Sequence, residues 1–108
     1  MNPVEEKIQA EIIQSLGGSL APQLSMETFR VRLAAYLNDL INRDFEKLVQ
    51  LLYRLDVSEK KLKAMLSQPS QADAGQVIAD LILERQLQKV ELRKKFRKQD
   101  DISEEEKW

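Results

Sequence analysis

The chain has 108 residues, with 17 Lys and Arg against 18 Asp and Glu, a formal net charge of -1, and neither histidine nor cysteine. One domain around one core is the expectation at this length, and the balanced charge supplies no overall field for nucleic acid, an acidic membrane or a cationic partner. Without cysteine there are no disulfides or thiolate ligands, and without histidine the usual general base and commonest transition-metal ligand are missing. The chain is therefore expected to be a non-enzyme with no metal and no cofactor.

The first predicted helix starts at Asn2, a good N-cap, with Pro3 where a missing N–H costs nothing. Val4, Ile8, Ile12 and Leu16 recur every fourth place as one narrow stripe, and Gly17 and Gly18 end the helix by supplying left-handed backbone. A loop follows to Leu24. Ser25 caps the second predicted helix, whose core face carries Met26, Phe29, Leu33, Tyr36, Leu37, Leu40 and Ile41. The pattern breaks phase around Asn42, Arg43 and Asp44, and a third helix is expected to bury Phe45, Leu48, Val49, Leu51, Leu52 and Leu55.

Ser58 is the expected cap of a short fourth helix, with Val57 and Leu62 forming a hydrophobic staple and Leu62, Met65 and Leu66 turned inward. A polar connection containing Pro69 leads to Asp73, which forms a capping box with Gln76. The last helix is expected from about Ala74 to about Lys98, roughly 37 Å long, so that part of it projects. The predicted fold is all-α: a compact bundle of about five helices with a long C-terminal helix, residues 1–98 forming the domain and 99–108 a flexible acidic tail. Met1 to Lys7 has no basic or apolar leader pattern, and no apolar run approaches the ~18 residues of a membrane span. The expected location is the cytoplasm.

The last helix is apolar on two sides. Ala74, Val77, Ile78, Leu81, Ile82, Leu92 and Phe96 share one face, whereas Leu83, Leu87 and Val90 lie nearly opposite, with Ala79 beside them. Either the first helix covers this second stripe within the monomer, or Leu83, Leu87 and Val90 bind a partner, most simply the same helix of a second copy in a homodimer. From Arg85 to Lys98 the helix also carries seven cations against Glu91 alone. Arg93, Lys94, Arg97 and Lys98 are the candidate contacts to an anion or a nucleic acid. The opposing account is neutralisation by the five carboxylates of Asp100, Asp101, Glu104, Glu105 and Glu106.

Other features favour structural roles. The helices between Arg43 and Leu66 resemble a helix-turn-helix in spacing, but the second offers lysines without the Asn, Gln or Arg that read base edges. Asp80 and Glu84 lie one turn apart without a loop to converge them on a cation. Arg43, Arg54 and Arg85 are expected to pair with Asp39, Asp56 and Asp80, and Trp108 is expected to be disordered.

The stretches Asn42-Arg43-Asp44-Phe45, Leu52 to Leu62 and Ile82 to Lys89 resemble segments of small uncharacterised bacterial all-helical proteins. The resemblance covers about half of the chain and implies a bacterial cytoplasmic setting, with no function for any residue. The expectation is a non-catalytic interaction or adaptor module that self-associates, or binds another helical protein, through the C-terminal helix. The alternative is a nucleic-acid-associated accessory protein using the basic end of that helix.

Overall fold

The computed structural model describes residues 2–67 and 73–107, apart from the side chains of Met65, Leu66 and residues 96–107. The described residues form five α-helices and no strand: α1 (Pro3–Ser15), α2 (Met26–Arg43), α3 (Phe45–Arg54), α4 (Glu59–Ser67) and α5 (Ala74–Lys107). The helix starts follow from local chemistry. The Glu5 N–H donates to Asn2 Oδ1 at 2.8 Å, Thr28 N–H to Ser25 Oγ at 3.1 Å, Lys61 N–H to Ser58 Oγ at 3.3 Å and Gln76 N–H to Asp73 Oδ1 at 2.8 Å. Val57 and Leu62 are both half-buried against the core, as the staple requires.

Asp44 separates α2 from α3, accepting from Lys47 N–H at 3.1 Å, so a cap accounts for the phase break. The end of α3 is less ordinary. Asp56 takes a left-handed φ of 57°, letting the Val57 N–H reach back to the Leu52 carbonyl at 3.1 Å. Gly17 and Gly18 take φ of 69° and 80° after α1, as expected of that pair.

The spine of the molecule is α5, and its apolar breadth follows from that position. Its most extensive partner is α2, which runs antiparallel to it: Asn38 meets Gly75 and Arg30 meets Asp80. Lys61 of α4 reaches Glu84 at 2.9 Å, and Glu11 of α1 meets Arg93 at 2.9 Å. Val77, Ile78, Leu81 and Ile82 are buried on one side of α5, and Ala79, Gln86 and Val90 continue the buried surface around it. The two stripes are thus the margins of one wide buried arc. The helix also extends beyond the expected end near Lys98, to Lys107.

Two buried amides tie this core to its loops. Gln9 Nε2 donates to the Gln23 carbonyl at 3.2 Å and Gln9 Oε1 accepts from the Gln23 N–H at 2.8 Å, fastening the α1–α2 loop to α1. Gln86 Nε2 donates to the Leu55 carbonyl at 3.1 Å, joining α5 to the end of α3. Neither residue stands out in sequence, because each lies on the margin of an apolar stripe and owes its burial to a distant segment.

Asp56 joins the same two helices from outside. Its carbonyl accepts from Arg85 Nε at 3.0 Å, and its carboxylate meets Lys89 Nζ at 2.8 Å. The hydrogen bond from Lys89, then that lysine's charge and more weakly that of Arg85, hold the Asp56 carboxyl below its ordinary pKa. A carboxyl depressed in the folded state adds stability above its unfolded pKa, near 3.9, and loses it as pH falls through the folded value. Asp56→Asn, which keeps a side chain suited to left-handed backbone, is expected to melt below wild type at neutral pH. The gap should close at acidic pH; a pH-independent gap in melting curves would show that the Lys89 pair contributes nothing.

Candidate functional site

The second stripe of α5 does not form one open face. Val90 is 5% exposed, Leu83 is half-buried against the core, and Leu87 is 42% exposed. The expectation that all three are available to a partner is corrected for Val90 and in part for Leu83. The reason is α1, whose Ile8 and Ile12 enter the common core while Pro3, Val4 and Lys7 lie beside the far end of the stripe. The intramolecular cover weighed against the partner reading accounts for Val90.

This arrangement leaves a groove between α1 and α5. Pro3, Val4 and Val90 supply apolar atoms, and Lys7, Arg93 and Lys94 supply three cations. Val4 and Lys7 stand one turn apart on α1, and Val90 and Lys94 one turn apart on α5, so each helix contributes an apolar residue followed by a cation. Leu87 precedes Val90 by one turn of α5 and extends the apolar strip beyond the groove. Arg93 Nη2 donates to Glu11 Oε1 at 2.9 Å, fixing the guanidinium at the groove wall. Such a surface can hold an apolar side chain against its floor and carboxylates at its rim.

The basic run of α5 is divided by its partners. Arg85 and Lys89 are engaged by Asp56 and Arg93 by Glu11. Lys94 and Lys95 are exposed, while the side chains of Arg97 and Lys98, the neutralising acids of the tail and Trp108 lie outside the described residues. Asp80 is bound in two places by Arg30, whose pKa the Asp80 hydrogen bond and charge raise above its ordinary value, and Glu84 is engaged by Lys61. Arg43 pairs with Asp39 at 3.0 Å as expected. Arg54 instead reaches the Ser15 carbonyl at 3.5 Å, and Arg85 takes the Asp56 carbonyl rather than a carboxylate.

Among the described residues, no three His, Cys, Asp or Glu side chains converge where a metal ion could sit. No helix among them is long and apolar enough to cross a membrane. A second cleft, between α1, α2 and α3, mixes Asp44 and Glu46 with Lys47 and Arg54 around Leu16, Tyr36 and Leu51, and so presents no single charge to a ligand.

Phe45 and Val49, expected in the core, are 61% and 51% exposed, and Tyr53 is 85% exposed. Leu48, Leu51, Leu52 and Leu55 fill the buried side of α3, leaving Phe45 and Val49 at its margin. The sequence signal for this was the excess width of the α3 stripe. Of the groove residues, Leu87, Val90, Arg93 and Lys94 were legible as candidates, whereas Pro3, Val4 and Lys7 were not. Their role depends on where α1 crosses α5.

Fold and site together define an all-α bundle with a cationic surface groove. No family model, no curated protein and no solved structure matches the chain.

Proposed function

We propose that the protein is a non-catalytic interaction module whose α1–α5 groove binds an acidic segment of another protein, anchored by an apolar side chain. The observation that carries this reading is the combination of an apolar floor, Val4 and Val90, with the cations Lys7, Arg93 and Lys94. Carboxylates suit the rim, and an aliphatic or aromatic anchor suits the floor. The apolar floor favours a peptide over a nucleic acid, because a phosphate backbone has no apolar side chain to set against Val4 and Val90. Nucleic-acid contact is the second reading, resting on the exposed Lys94 and Lys95.

A labelled helical peptide with leucine at every fourth position and glutamate between is the test probe, with a lysine-for-glutamate counterpart and a random DNA duplex as competitors. Fluorescence polarisation should show the acidic peptide binding in about the micromolar range, more weakly as salt rises. Lys7→Glu combined with Lys94→Glu should weaken it by about tenfold or more, since each reversal replaces attraction with repulsion at the rim. Leu87→Asp should weaken it as well. Equal binding of acidic and basic peptides would sink the proposal, and tighter binding of duplex would transfer the basic end of α5 to the nucleic-acid reading.

A further inference from the structure

Of the three cations in the α1–α5 groove, Arg93 alone has a carboxylate partner among the described residues: its Nη2 donates to Glu11 Oε1 at 2.9 Å. Its Nε turns to the Lys89 carbonyl at 3.4 Å, one turn back on α5. Glu11 stands one turn beyond Lys7, so Val4, Lys7 and Glu11 follow one another along one face of α1. The pair is only partly sheltered, with side chains 29% exposed at Glu11 and 48% at Arg93, and a ligand in the groove can reach it.

We infer that Glu11 is a competitor built into the groove: its carboxylate takes the place on Arg93 that a ligand carboxylate would take, and so limits the affinity for acidic segments. The inference rests on the reading of the groove as a site for such a segment. The recognition chemistry is already displayed within the chain, because Glu11 presents to Arg93 the same group that a bound glutamate would present. A guanidinium engages a carboxylate best through two parallel bonds. Both edges that allow this, Nε with Nη2 and Nη1 with Nη2, include the nitrogen that Glu11 holds. A second carboxylate on either edge therefore comes close to that of Glu11, and like charge disfavours the two together. An acidic ligand gains the full use of Arg93 by displacing Glu11, which gives up the ion pair between α1 and α5.

The probe is the labelled leucine and glutamate peptide, read by fluorescence polarisation at fixed low salt. Glu11→Gln keeps the shape of the side chain and removes its charge, and should tighten binding about two- to fivefold, the scale of an exposed ion pair. Glu6→Gln removes an equal charge from α1 outside the groove lining and should leave affinity within about 1.5-fold. Arg93→Gln cuts the same link between α1 and α5 but also removes a groove cation, so it should weaken binding. Adding Glu11→Gln to Arg93→Gln should then change affinity by less than about twofold, since no cation is left to release. Three results would each overturn the inference while leaving the groove reading intact: no gain from Glu11→Gln, an equal gain in the Arg93→Gln background, or tighter binding by Arg93→Gln alone. The last would show that loosening α1 opens the groove. Failure of both the wild type and Glu11→Gln to bind the peptide would instead remove the groove reading, and this inference with it.

Discussion

Gly75→Ala is expected to destabilise the protein by about 1–3 kcal/mol, although alanine is the better helix former by roughly 1 kcal/mol. A Cβ at Gly75 would lie 2.4 Å from the Ala34 carbonyl oxygen, 2.5 Å from Asn38 Cγ and 2.6 Å from Asn38 Oδ1. The Gly75 N–H donates to that same Asn38 oxygen at 3.0 Å, so moving α5 away from α2 to admit the methyl also sacrifices a cross-helix hydrogen bond. Asn38 can turn aside; the Ala34 carbonyl belongs to α2 and cannot. Asn38→Ala in the same chain should therefore fail to restore stability. Thermal melting should show Gly75→Ala lower by roughly 5–20 °C, at several degrees per kcal/mol in a domain of this size. A melting point at or above wild type would mean that the close approach of α2 and α5 is not required.

Phe29→Ala is expected to be costlier, at about 3–5 kcal/mol, because it removes a fully buried ring where α2 packs into the core. That is a large part of the 5–15 kcal/mol that holds a typical domain folded. Phe45→Ala removes the same group from a position 61% exposed and should change stability by no more than about 0.5 kcal/mol. Chemical denaturation of the two variants side by side checks the contrast, and comparable losses of stability would mean that Phe45 is covered within the monomer.

Four helix starts are legible in the chain alone through Asn2, Ser25, Ser58 and Asp73, and the first helix end through Gly17 and Gly18. These signals act between residues a few places apart, so they survive without knowledge of the fold. The cap at Asp44 and the left-handed turn at Asp56 passed unread: each is an acidic residue whose part depends on the backbone around it. The stripes of α1 and α2 were also legible, since Ile8, Ile12, Leu16, Phe29, Leu33, Leu37 and Leu40 are all buried.

For the candidate site, the sequence identified the α5 half, Leu87 with Arg93 and Lys94, but misassigned Val90 as available to a partner. It could not supply Val4 and Lys7, which reach the groove because α1 crosses α5 there. The same limit explains Phe45 and Val49, whose apolar character was plain and whose exposure was not. Periodicity and caps therefore established the helices and most inward faces, through interactions local in the chain. Only the tertiary structure decided which margins of α3 and α5 stay uncovered, because burial depends on the neighbour that arrives from far along the sequence.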